Sequence, residues 1–118
     1  MRTSHYLQNI GTQVDKIEDG WKVYKDEGIS GRISFQDRPS GKKLLQDIEK
    51  GKISMVVTNS CDRLGRTTSN ILETIRTIHS YGVTIRFIRE GIITLDEEGK
   101  QTPMGVLMVN LLSTLSEF

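Results

Sequence analysis

The chain predicts an α/β fold with a mainly parallel central sheet flanked by helices, because apolar strand-like segments alternate along it with segments of helical period. Residues 53–58, Ile-Ser-Met-Val-Val-Thr, are a nearly continuous β-rich run of the kind found in a central strand covered on both faces. Residues 67–80 then set Ile71, Leu72, Ile75 and Ile78 on one helical face. With 118 residues and no internal repeat, one domain with one core is expected.

Taken in order, apolar residues alternate too poorly before Trp21 for a strand. Ile10, Val14 and Ile17 instead fall at helical spacing and stop at Asp19-Gly20, which predicts a short helix over about residues 8–18. Trp21-Lys22-Val23-Tyr24 reads as a brief strand, followed by a polar, glycine-punctuated loop that runs to Arg38-Pro39. Pro39, Leu44, Leu45 and Ile48 mark an amphipathic helix that stops at Gly51. The helix over 67–80 is capped by Thr68 or Ser69 and closed by Tyr81-Gly82, and residues 83–88 form the next strand. Residues 92–101 carry three acidic residues and no sustained pattern, and read as a mobile surface loop. A long C-terminal helix starts near Thr102. Its Val106, Leu107, Val109, Leu111, Leu112 and Leu115 cover more than one face, which places it in a core or a partner interface.

Composition narrows the functional classes. Sixteen Lys and Arg against fifteen Asp and Glu leave a net charge of +1, so a grip on nucleic acid by bulk charge is excluded and any anion site is local. Cys61 is the one cysteine, which excludes an intramolecular disulfide and a cysteine-based metal cluster and suits a reducing cytoplasm. No signal peptide or membrane span is read, so a cytoplasmic location is expected. His5 and His79 stand far apart without metal-ligand spacing, and no metal site is expected.

The densest group of strong donors is Asp62-Arg63-Leu64-Gly65-Arg66, between the apolar strand and the following helix. Ligands of open parallel sheets bind beyond the carboxyl ends of strands, and two guanidinium groups three residues apart can converge on one phosphate, with Asp62 orienting one of them. The same pentapeptide also reads as a solvated, self-paired charged turn. A second group is Arg2-Thr3-Ser4, with Gln8 and Gln13 following. Ser4 is a nucleophile if Arg2 stabilises developing charge, or simply a helix N-cap. The loop over 26–38 adds Ser30, Gly31 and Arg38, its glycines reading otherwise as turn residues.

These three segments together resemble the serine recombinases, the resolvase/invertase family. Residues 2–13 resemble that family's R-V-S-T-x-x-Q-N-x-x-x-Q opening, and Asp26-Glu27-Gly28-Ile29-Ser30-Gly31 its D-x-G-x-S-G loop, followed in both by an arginine-proline pair, here Arg38-Pro39. Asp62-Arg63-Leu64-Gly65-Arg66 is identical to the D-R-L-G-R signature, and residues 102–112 are similar to the start of the long helix that carries subunit contacts. The resemblance implies a resolvase-like catalytic domain in which Ser4 attacks a DNA phosphodiester, forming a phosphoserine link and releasing a 3′ hydroxyl. Arg2, Arg38, Arg63 and Arg66 surround the non-bridging oxygens, and Gln8, Gln13, Ser30 and Asp62 position the phosphate. It implies DNA as substrate, a homodimer that becomes a tetramer on DNA, and no cofactor.

The chain departs from that pattern in places. The family opens with an apolar strand ahead of the arginine and continues past the long helix into a DNA-binding module, so residues 1–118 are expected to be one catalytic domain lacking both. A rival register aligns Ser4 and Gln8 with a later serine and glutamine of the large recombinases. Ser60 stands where the family commonly has a lysine. Two other readings differ in class: a catalytically silent DNA-associated or regulatory fragment of the same fold, and a flavodoxin-like domain, which leaves the clustered arginines unexplained.

Overall fold

The computed structural model describes residues 4–8, 21–24 and 33–117. Five strands form one sheet in the order β2-β1-β3-β4-β5, where β1 is Ser4–Gln8, β2 Trp21–Tyr24, β3 Ile53–Thr58, β4 Thr84–Phe87 and β5 Ile92–Ile93. β1 runs parallel to both β2 and β3, and β3 parallel to β4, while β5 joins β4 antiparallel. The mainly parallel α/β sheet flanked by helices is the predicted fold.

Two expectations are corrected. Residues 4–8 do form a strand, with ladder partners on both sides. Ser-His-Tyr-Leu-Gln sets Tyr6 and Leu7 side by side between polar residues, so no alternation is displayed, and the two neighbouring strands supply the preference that the local sequence lacks. Gln8 thus belongs to β1, and the remainder of the helix expected over 8–18 lies outside the described residues. The second correction concerns residues 92–101. Ile92–Ile93 pairs with β4, Leu95 bridges Gln101, and Thr94 is fully buried, its N–H donating to Ile85 O at 2.9 Å. The acidic tip is a tight turn in which Asp96 Oδ1 accepts from the N–H groups of Glu98 (2.8 Å) and Lys100 (3.0 Å). Its buried residues fall at irregular intervals, so no period announces them.

Three helices follow the predicted pattern. α1, Pro39–Glu49, starts with proline at a first-turn position and buries Gly41, Leu44, Asp47 and Ile48, the spacing of one helical face. α2, Thr68–Ser80, buries Ile71, Leu72, Ile75 and Ile78; its cap is Thr67, one residue before the expected pair, with Oγ1 accepting from Asn70 N–H at 3.0 Å. These side chains join Val56 of β3 and Ile85 and Phe87 of β4 in one hydrophobic cluster.

α3, Pro103–Leu115, buries Gly105, Met108 and Leu112, yet Met104, Leu107, Leu111 and Leu115 are about half exposed. It is apolar on more than one face, as predicted. With Cys61 and Ile92 it lines an open groove of about 300 Å³. Among the described residues, no helix is long and apolar enough to cross a membrane.

A buried carboxylate ties β2 to α1. Asp47 accepts from the Tyr24 hydroxyl and pairs with Lys22 Nζ (3.2 Å) and Lys43 Nζ (3.3 Å). Burial pushes its pKa upward, but the hydrogen bonds from Tyr24, Lys22 and Lys43 outweigh that push and hold the carboxyl below its ordinary value.

Candidate active site

The order of the strands fixes where a ligand sits. The chain leaves β1 to form β2 on one side and returns to form β3 on the other, so the connections diverge at the carboxyl ends of β1 and β3. A crevice at such a switch point is the usual binding place of an open α/β sheet. β3 ends there at Thr58, and the next residues are the arginine turn.

Cys61–Leu64 makes one tight helical turn, closed by Arg63 N–H donating to Ser60 O at 3.2 Å. Leu64 is fully buried, an anchor of about 1.5–3 kcal/mol. Gly65 lies against the first turn of α2, where a Cβ would meet Ile71 N at 2.6 Å. Around this anchor the polar residues diverge: Asp62 and Arg66 are exposed and Arg63 is half-buried. Asp62 accepts from the hydroxyl of buried Ser60 rather than orienting an arginine. Among the described residues no ion pair involves Arg63 or Arg66, so the turn is not self-paired. Arg63 and Arg66, two permanent cations, thus both stand on the connection that leaves β3 at the switch point.

Arg38 reaches this turn from a distant segment. Its backbone is extended, as a residue before proline favours, and its side chain lies over the Phe35 ring, 5.9 Å from the centroid. Nη1 donates to Arg63 O at 2.8 Å and Nε to Ile33 O at 3.0 Å, with only 7% of the residue exposed. The arginine preceding Pro39 and the 62–66 turn therefore share one place in the fold.

The remaining predicted residues divide. Gln8 closes β1 level with Thr58, at the same end of the sheet as the arginines. Ser4 opens β1 beside Ile53, at the opposite end, and at about 3.3 Å per residue its backbone is ~13 Å along the strand from Gln8. The structure does not bring Ser4 to the arginines. Arg2, Gln13 and Ser30 lie outside the described residues.

Two residues of the site escaped sequence reasoning. Ser60, read only as a missing lysine, fixes Asp62. Asn70, 7% exposed, accepts at Oδ1 from the N–H groups of Phe35 (2.9 Å) and Arg66 (3.0 Å) and donates from Nδ2 to Gln36 (2.9 Å) and Glu73 (3.3 Å). Its one sequence signal is its place three residues after the capping Thr67. Cys61, although adjacent, is a poor nucleophile: burial, reinforced by the Glu90 and Asp62 charges, raises its thiol pKa and keeps it protonated at neutral pH.

The model of the resolvase N-terminal domain matches residues 1–118. The chain belongs to the resolvase family. Among curated resolvases it is 30% identical to the transposon Tn501 resolvase of Pseudomonas aeruginosa over 118 residues, covering 100% of this chain and 59% of that protein. It is 28% identical to the transposon Tn3 resolvase of Escherichia coli over 125 residues, covering 99% of this chain and 63% of that protein. The resolvase-family chain thus spans about three-fifths of the length of these relatives. Its fold is similar to the N-terminal catalytic domain of TP901-1 integrase, with a TM-score of 0.72 at 24% identity over 98% of this chain and 95% of that one. It is also similar to a resolvase family site-specific recombinase from Streptococcus pneumoniae, with a TM-score of 0.63 at 22% identity over 98% and 87% of the two chains.

Proposed function

We propose that these 118 residues form a single catalytic domain that cleaves and rejoins DNA through a covalent phosphoserine intermediate. The observation that carries this reading is the hydrogen bond from Arg38 to the Arg63 carbonyl, which joins two arginine-bearing segments at the carboxyl end of β3. A scissile phosphate at the turn so braced meets fixed positive charge where negative charge grows in the transition state. Ser4 Oγ attacks phosphorus, the P–O3′ bond breaks, the serine proton is lost and the 3′ oxygen leaves as a hydroxyl. Rejoining is the reverse, a 3′ hydroxyl attacking the phosphoserine, so bond energy is conserved and no nucleotide cofactor is consumed. Arg2, Arg63 and Arg66 contact the phosphate, Arg38 braces the turn from the edge of the site instead of contacting the phosphate, Gln8, Gln13 and Ser30 position the groups, and Asp62 is held by Ser60 at the start of the turn.

Ser4 is assigned by its spacing to Arg2, Gln8 and Gln13. To act, it must sit at the carboxyl end of the sheet, so residues 4–8 leave the register in which Ser4 pairs with Ile53. The exposed apolar face of α3 supports a homodimer, with two dimers meeting as a tetramer on DNA. The protein works in the cytoplasm.

The test is adduct trapping. Full-length protein is mixed with supercoiled plasmids carrying the genomic segment around its gene and quenched in detergent. A protein–DNA adduct is expected from the parent and from Ser80→Ala, a change at the exposed end of α2, but not from Ser4→Ala. An adduct that persists in Ser4→Ala would contradict the assignment.

A further inference from the structure

We infer that Asn70 is a positioning residue for strand cleavage, fixing the spacing between the segment that carries Arg38 and the turn that carries Arg63 and Arg66; the inference rests on the reading of Arg63 and Arg66 as phosphate contacts braced by Arg38. One carboxamide oxygen accepts two backbone N–H groups, from Phe35 and from Arg66, residues 31 apart in sequence. Phe35 is in turn held against α1, because its carbonyl oxygen lies only 2.2 Å from where a Cβ on Gly41 would stand. Arg66 follows the glycine that lies against the first turn of α2. Asn70 is therefore the point at which the two arms of the site are measured against one another.

Its own position is over-determined. Asn70 N–H is held by the capping Thr67, its carbonyl accepts from Thr74 Oγ1 at 2.9 Å, and its Nδ2 is held by Gln36 and Glu73. A side chain held on every side transmits a fixed distance to whatever binds its oxygen. The Arg38 bond to Arg63 O then closes a ring: Phe35 to Asn70, Asn70 to Arg66, Arg63 to Arg38. Loss of the oxygen opens this ring without removing a charge from the clamp.

The oxygen, rather than the whole amide, is the group that matters. Asn70→Asp, made together with Glu73→Gln so that its second oxygen meets an amide that can donate rather than the Glu73 carboxylate 3.3 Å away, keeps the acceptor and puts its charge in the first turn of α2, where the helix dipole favours it, so this variant should fold and retain the brace. Asn70→Ala removes the acceptor. Single-turnover adduct formation by the full-length protein is expected to slow about 100-fold in Asn70→Ala, the scale of a misplacement near 1 Å, and to return to within about threefold of the parent in the Asn70→Asp, Glu73→Gln protein. The DNA concentration for half-saturation should stay within about threefold in both, since the cations remain. If Asn70→Ala fails to fold, Asn70→Ser takes its place, because a serine oxygen is too short to span both N–H groups.

A purely structural role would lower the thermal midpoint and leave the rate at a temperature where all variants are folded unchanged. That result, or an aspartate variant as slow as the alanine one, overturns the inference. A parent that forms no Ser4-dependent adduct overturns the recombinase reading and this inference with it, whereas a competent parent with an equally fast Asn70→Ala overturns the inference alone.

Discussion

Replacing Gly65 with alanine tests how closely the arginine turn is pressed onto α2. Gly65 has an extended backbone, φ 178°, which alanine adopts without strain, so any effect comes from the added methyl group. That methyl would lie 2.6 Å from Ile71 N and 2.9 Å from Asn70 C and Oδ1, its nearest contact about 0.8 Å inside ordinary van der Waals distance. Two of these neighbours are helix backbone and cannot rotate aside, so the 62–66 turn must retreat by most of that amount. Overpacking of this kind costs about 1–3 kcal/mol. For a domain of this size each kcal/mol lowers the melting temperature by about 3–6 °C, so a fall on the order of 10 °C is expected. A shift approaching 1 Å in a clamp on the transition state should slow cleavage by about 100-fold. Thermal unfolding and single-turnover adduct formation, the latter where all variants are folded, read the two effects separately. Gly82→Ala is the control: at φ +75° with nothing near its Cβ, it pays about 1–2 kcal/mol of left-handed strain and leaves the rate alone. A Gly65→Ala protein with the parent's melting temperature and rate would mean that the turn is not pressed onto α2 as the 2.6 Å approach implies.

Leu111→Glu places a charge on the exposed apolar face of α3, where Leu111 is 55% exposed, and should shift the particle in sedimentation from the size of a dimer to that of a monomer, with a melting temperature that no longer rises with protein concentration. Asp47 has a folded pKa below its ordinary 3.8, so its stabilisation is complete above that pH and is lost as the pH falls through the folded value. Urea unfolding should show this acid limb in the parent and not in Asp47→Asn, which at pH 7 should be less stable by about 1–3 kcal/mol. Burial lowers the pKa of His79 from its ordinary 6.5 while Nε2 meets Thr94 Oγ1 at 2.7 Å. The unfolded chain then binds the proton more readily, so stability falls as the pH drops below about 6.5 in the parent, and His79→Gln should flatten that fall.

Much of the fold is legible because period and burial coincide. In α2, Ile71, Leu72, Ile75 and Ile78 are both the periodic residues and the buried ones, and the apolar run of β3 is a central strand. β1 and β5 fail that condition. Ser4–Gln8 is five residues long and becomes a strand through partners distant in sequence, and Ile92–Ile93 sits among glycines and acids whose burial is decided by β4 and α3. The site divides in the same way. The arginines stand out by chemistry and order, and the meeting of Arg38 with the 62–66 turn follows. Asn70 and Ser60 are single polar residues that work through hydrogen bonds alone, four at the Asn70 side chain and one from Ser60 to Asp62, and nothing in a linear chain marks which asparagine has two backbone N–H groups brought to it.

If Ser4 is the nucleophile proposed above, it carries the phosphate when cleavage is trapped at the arginines of the β3–α2 connection. Tryptic digestion of the trapped adduct, followed by mass spectrometry of the nucleotide-bearing peptide, locates the attachment. The modified peptide should be residues 3–16, with the phosphate on Ser4. A phosphate found instead on residues 53–63, which contain Ser54, Thr58 and Ser60, would contradict the account.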